Sequence, residues 1–195
     1  SKKYLGLYRY GDRVIFSYRV DGVDYLDAPQ IVDGKFVSVA APRENHPDRE
    51  HLRGGESQWP QTIAVNGERG TTAPYAVDTI PLPTENPWNA LVYGSGHDFL
   101  PDGSALLCTM QGDVWRATGL DEGLQSVIWQ RIASGLFQPL GIVVHDDQIF
   151  VMGRDQLTRL HDLNGDGEVD YYECFSRSLE TSASGHDFTC DLWRD

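Results

Sequence analysis

The sequence predicts an all-β protein, with an N-terminal β-meander followed by the blades of a partial β-propeller. Three observations carry that reading. Apolar and polar residues alternate between glycine-containing turn pairs, a unit of about 44 residues recurs, and an Asp- and Gly-rich loop joins two strand-like runs.

The meander comes first. Tyr4 to Tyr10, Arg13 to Val20 and Val23 to Leu26 form three strands separated by the turn pairs Gly11-Asp12 and Asp21-Gly22. In the second, Val14, Phe16, Tyr18 and Val20 alternate with Arg13, Ser17 and Arg19, which predicts that the larger apolar set faces a core. A turn at Asp33-Gly34 leads into a fourth strand, Lys35 to Ala40. From Pro42 to Pro60 the chain turns to Arg, Glu, His, Asp and Gly, a composition that cannot bury itself and predicts a long surface loop. His46, His51, Asp48 and Glu50 lie there with metal-ligating side chains, but a solvated loop is the stronger expectation because nothing fixes their geometry. Thr62 to Val65 reads as a short strand. Prolines 74, 81, 83 and 87 make Ala73 to Trp88 an extended connector and place a boundary between residues 1–80 and 81–195.

Beyond the connector, Ser95-Gly-His-Asp-Phe99 recurs letter for letter as Ser184-Gly-His-Asp-Phe188. The interval holds two copies of one unit, which sets blades at about 95–138 and 139–183 and opens a third at 185. In the first copy, strands fall around Phe99, at Ala105 to Met110, Gly112 to Arg116 and Ser126 to Gln130; in the second, around Ile142, at Ile149 to Met152 and at Arg154 to Arg159. A β-sandwich is the competing architecture. Two blades and a meander leave open sheet edges, so the expectation is a piece of a longer polypeptide, or a propeller completed by neighbouring chains.

Between the strand-like runs stands Asp162-Leu-Asn-Gly-Asp-Gly-Glu-Val-Asp-Tyr-Tyr-Glu173. Asp162, Asn164, Asp166, Asp170 and Glu173 occupy positions one, three, five, nine and twelve of a calcium-binding loop, the Glu168 carbonyl is at seven, and Gly167 makes the sharp turn. Clustered carboxylates repel one another without a counter-ion, and hard oxygens select calcium over softer metals. The plain alternative is an Asp/Gly-rich hairpin with no ion. Because the flanks read as strands, the expected ion is structural rather than the trigger of a helix pair.

Composition narrows the partners. Sixteen basic against twenty-nine acidic residues give a net charge of -13, which opposes nucleic acid. No apolar run approaches the roughly 20 residues of a membrane span, and Ser1-Lys-Lys opens no signal-peptide apolar core, so any targeting segment is expected to be removed or absent. Cys108, Cys174 and Cys190 make neither a disulfide framework nor a CxxC site; a Cys174–Cys190 pair and free thiols both remain open.

Phe99-x-Pro-Asp-Gly103, Gly112-Asp-Val-Trp-Arg116, Gln138-Pro-Leu-Gly-Ile142 and the run from Gly153 to Gly167 resemble the large secreted propeller proteins of planctomycete-type bacteria. Those are distantly similar to soluble glucose/sorbosone dehydrogenases and often carry a c-type haem domain. The resemblance implies a β-propeller, a periplasmic or secreted location, and oxidoreductase work on sugars or related alcohols with a haem domain elsewhere. It carries over no catalytic set, and CxxCH is absent from these residues. His97 and His186, each beside an Asp, are candidate general bases; hydrogen bonding between blades is the stronger expectation for such repeated residues. Arg154 is a candidate pocket residue. The alternative function is a non-catalytic, carbohydrate- or protein-binding propeller of the cell envelope, with Trp59, Trp88, Trp115, Trp129 and Trp193 as possible stacking platforms or core residues. Walker, GxSxG and HExxH motifs are absent.

Overall fold

The alternation and turn pairs of the N-terminal third produce a run of antiparallel hairpins. A computed structural model describes residues 1–178, 181–182, 188–190 and 192–193, and these divide into two units, Ser1–Gln58 with Gln156–Ser178 and Trp59–Asp155 with Leu179–Asp195. The described residues are all-β, with two short 3-10 turns and no α-helix.

In the first unit β1 (Lys2–Tyr10), β2 (Arg13–Val20), β3 (Val23–Val32) and β4 (Lys35–Pro42) form the expected meander. Asp21-Gly22 and Asp33-Gly34 both adopt positive φ at both positions, the conformation a two-residue hairpin needs to match the strand twist. β12 (Leu157–His161) and β13 (Tyr171–Ser176) complete an antiparallel order β12-β13-β1-β2-β3-β4, with Leu7 opposite Tyr172. The face expected to be buried is not the one that is. Ile15 and Ser17 of β2 are 0% and 1% exposed, whereas Val14, Phe16, Tyr18 and Val20 are only partly covered. Tyr8, Ile15, Leu26 and Ala28 form the core, with Leu52 and Tyr171 packed against it. Apolar residues occupy both faces of β2, so the choice fell to whichever face other segments cover.

One of those segments is the loop expected to be solvated. Its 3-10 turns, Arg43–Asn45 and Pro47–His51, bury His46 (1% exposed) and Asp48 (6%). His46 Nε2 lies 2.9 Å from the Val39 carbonyl, and its Nδ1 accepts from the Asp48 amide at 3.0 Å. The Asp48 carboxylate pairs with Arg13 at 2.7 Å and with His51 Nδ1 at 3.0 Å. Burial is tolerated because these polar groups find partners.

In the second unit β6 (Gly94–Phe99), β7 (Ala105–Thr109), β8 (Val114–Thr118) and β9 (Val127–Ala133) pair consecutively as the first repeat predicts, and β5 (Thr62–Val65) adds beyond β9. β10 (Gly141–His145) and β11 (Gln148–Met152) form a hairpin across Asp146-Asp147. Val92, Trp115, Ala117, Leu124, Val127 and Trp129 are the core, with Trp88 and Ile80 of the proline-rich connector against it. Residues 59–80 and the connector therefore belong to this compact unit, whose bounds fall at 58/59 and 155/156 where the sequence places a boundary at 80/81. Long-range pairing explains the difference: β5 pairs with β9 and β13 with β1, partners that local composition does not reveal.

Candidate calcium loop and the repeat strands

The Asp-rich loop joins β12 to β13, two strands, as its flanks predict. Asp162 anchors it. One carboxylate oxygen accepts from the Gly165 amide at 2.6 Å and the other from the Gly167 amide at 2.8 Å. Asn164 Oδ1 accepts from the Asp166 amide (3.0 Å) and Asp166 Oδ1 from the Glu168 amide (2.9 Å), so side chains one, three and five all bend the backbone around themselves. Gly165 and Gly167 take positive φ at the tight points. Asn164 Nδ2 donates to the Gly55 carbonyl at 2.6 Å, which ties the loop to the segment after Leu52.

Asp170 is 6% exposed and accepts from the Leu163 amide at 2.8 Å. Burial pushes its carboxyl above the usual carboxylate range, and the charges of Asp166 and Asp162 act in the same direction. Gly54 is the reason it fits: a Cβ there would lie 2.6 Å from the Asp170 carboxylate. The Glu168 side chain turns away to accept from Ser57 Oγ (2.7 Å) and the Gln58 amide (2.8 Å). Glu173 lies in β13 opposite Gly6 and Arg159, where its carboxylate takes Arg159 Nε and His161 Nε2, each at 2.7 Å.

The oxygen chemistry of Asp162, Asn164, Asp166 and the Glu168 carbonyl fits a hard cation, with Asp170 the adjoining buried acid. Position twelve does not fit as expected, because Glu173 already has a cationic partner in Arg159. Among the described residues, no three His, Cys, Asp or Glu side chains stand grouped to hold a metal.

The first Ser-Gly-His-Asp-Phe copy is β6, and its polar groups reach into the second copy. Ser95 Oγ donates to the Pro139 carbonyl at 2.6 Å, and Asp98 Oδ2 accepts from the Val144 amide of β10 at 2.7 Å. Gly96 allows the approach, since a Cβ would stand 3.2 Å from the Gly141 Cα. His97 is exposed and sits edge-on to Phe99 at 6.3 Å. His186 lies outside the described residues. Arg154 donates to Gln138 Oε1 (3.1 Å) and lies over the Phe188 ring at 4.9 Å.

A cleft of about 650 Å³ is lined by Ser95, His97, Asp98, Ile142, Cys190 and Trp193 among others. Trp193 is 85% exposed, whereas Trp59, Trp115 and Trp129 are buried. Cys108, Cys174 and Cys190 form no disulfide; the first two are buried and Cys190 is exposed. Sequence reasoning missed Arg131, which pairs with Asp113 at 2.5 Å and lies over the Trp59 and Trp88 rings at 4.8 and 5.7 Å. Its only signal was the alternation of β9, which gives no hint of its partners.

No protein-family model, curated protein or solved structure matches the chain.

Proposed function

We propose that this chain is a calcium-binding, propeller-type module of an exported protein that binds carbohydrate or protein without catalysing a reaction. The observation that carries the non-catalytic reading is the placement of Asp98: its carboxylate accepts from the Val144 and Phe99 amides, and so serves the contact between repeats rather than the tuning of His97. Arg154 is likewise engaged, through Gln138 and Phe188. The oxidoreductase reading rests on the resemblance alone. The exposed Trp193 beside the cleft supports carbohydrate as the ligand class, through stacking on a sugar face.

Calcium on this reading is held by Asp162, Asn164, Asp166 and the Glu168 carbonyl, with Asp170 completing the acidic set. It neutralises charges that otherwise repel, and so stabilises the hairpin between β12 and β13. The test is thermal unfolding with chelator against millimolar calcium. With an affinity near ~10⁻⁴ M, as in extracellular modules, about 1–5 mM calcium adds about 1–2 kcal/mol. That corresponds to a rise of about 3–8 °C for a chain of this size. Asp162→Ala and Asp166→Ala should abolish the rise; an equal rise in both variants removes the loop as the site. Glycan binding without dye-linked oxidation of the same sugars supports the binding role, and turnover with any of them overturns it.

A further inference from the structure

On an acidic chain, one small patch has the opposite sign. Arg43, Arg49 and Arg53, with Glu44, Glu50 and Leu52, line a shallow pocket of about 420 Å³ on the loop that follows β4. The third acidic residue of this segment, Asp48, is buried and neutralised by Arg13 at 2.7 Å, so three exposed guanidinium groups face two exposed carboxylates.

The donors are only partly used. Arg49 spends Nη1 on the Glu44 carbonyl (2.8 Å) and Nε on Glu50 (3.3 Å). Arg43 lies over the Tyr8 ring at 6.0 Å and its charge acts on the Asp24 carboxylate, which Arg19 holds by hydrogen bonds; neither Arg43 nor Arg53 has a side-chain hydrogen bond to a described residue. Each guanidinium presents five N–H donors in a planar fork that matches a carboxylate or phosphate edge.

The frame beneath is fixed, although its composition predicts a mobile loop. His46 bridges the Val39 carbonyl and the Asp48 amide, and Asp48 holds Arg13 and His51, all from the buried side. Backbone anchored in this way keeps the three arginines together before any ligand arrives, which reduces the ordering cost of binding.

We propose that this pocket binds a single small oxyanion group, the carboxylate or phosphate of a small ligand. An extended polyanion is disfavoured twice, by the flanking Glu44 and Glu50 and by the net charge of -13. The site is separate from the acidic loop and from the cleft at Trp193, and it stands whether or not those bind their ligands.

The experiment is a titration of the arginine Nε–Hε NMR signals of the whole chain with sodium acetate and with inorganic phosphate. Sodium chloride at matched ionic strength is the control. Saturable shifts at Arg43 and Arg53 are expected with at least one oxyanion and not with chloride; acetate alone identifies a carboxylate site, phosphate alone a phosphate site, and both a general oxyanion site. Arg53→Gln breaks no hydrogen bond in the fold and should weaken binding about tenfold, the loss of one charge-assisted pair. Glu44→Gln with Glu50→Gln should tighten it several-fold, while Lys35→Gln, at the β3–β4 turn, should leave it unchanged. Equal shifts with chloride, no saturation with either oxyanion, or undiminished affinity in Arg53→Gln each overturn the proposal.

Discussion

Replacing Asp98 by Ala tests the link between the two repeats. Asp98 Oδ2 accepts from the Val144 amide at 2.7 Å, and Val144 is buried, so water cannot replace the lost acceptor. The other oxygen caps the Phe99 amide at 2.8 Å, but Phe99 is exposed and its amide can be rehydrated. The cost is thus that of one stranded buried donor, about 1–3 kcal/mol. Taking about 2 kcal/mol, the Tm should fall by about 4–8 °C. Hydrogen exchange gives the local readout, since about 2 kcal/mol corresponds to roughly 30-fold faster exchange at the Val144 amide. Asp98→Asn keeps an oxygen acceptor without the charge and should cost about half as much. His97→Ala, on an exposed side chain, should stay within ~0.5 kcal/mol of the parent. If Asp98→Ala leaves both the Tm and Val144 exchange unchanged, the motif does not join the repeats. The case for Asp98 as a structural rather than a chemical group then fails.

Three further outcomes follow from the same geometry. Gly54 and Gly22 have nearly the same φ, +86° and +87°, but an added Cβ meets the Asp170 carboxylate at 2.6 Å in the first and nothing within 4 Å in the second. Gly22→Ala should cost only the backbone term, about 1–2 kcal/mol, and Gly54→Ala measurably more; equal losses in urea unfolding would contradict the close approach. His46→Ala should destabilise by about 2–4 kcal/mol, because it opens a cavity and strands the Val39 carbonyl and Asp48 amide, whereas His51→Ala should cost less; similar small losses for both would restore the picture of a solvated loop. Burial pushes the Cys108 thiol up from its ordinary value, which keeps it protonated and unreactive near pH 8. Cys190, which is exposed, should take a thiol reagent first in the native protein, with Cys108 and Cys174 reacting only on unfolding. Rapid modification of all three thiols in the native state would be inconsistent with this packing.

Much of the local architecture was legible without coordinates. The recurring unit of about 44 residues placed the strands β6 to β9. Period-two alternation and the turn pairs Gly11-Asp12, Asp21-Gly22 and Asp33-Gly34 placed the meander, because both signals come from neighbouring residues alone. The acidic loop and its strand flanks were legible for the same reason. Tertiary structure decided everything that depends on a partner distant in sequence. It chose Ile15 and Ser17 over Phe16 and Tyr18 as the buried face, drew His46 and Asp48 inside, and joined β13 to β1 so that the units divide at 58/59 and 155/156. It also gave Glu173 to Arg159 and His161, and Asp98 to Val144. A residue's type limits which bonds it can make; which of them it does make depends on the chain that folding brings opposite.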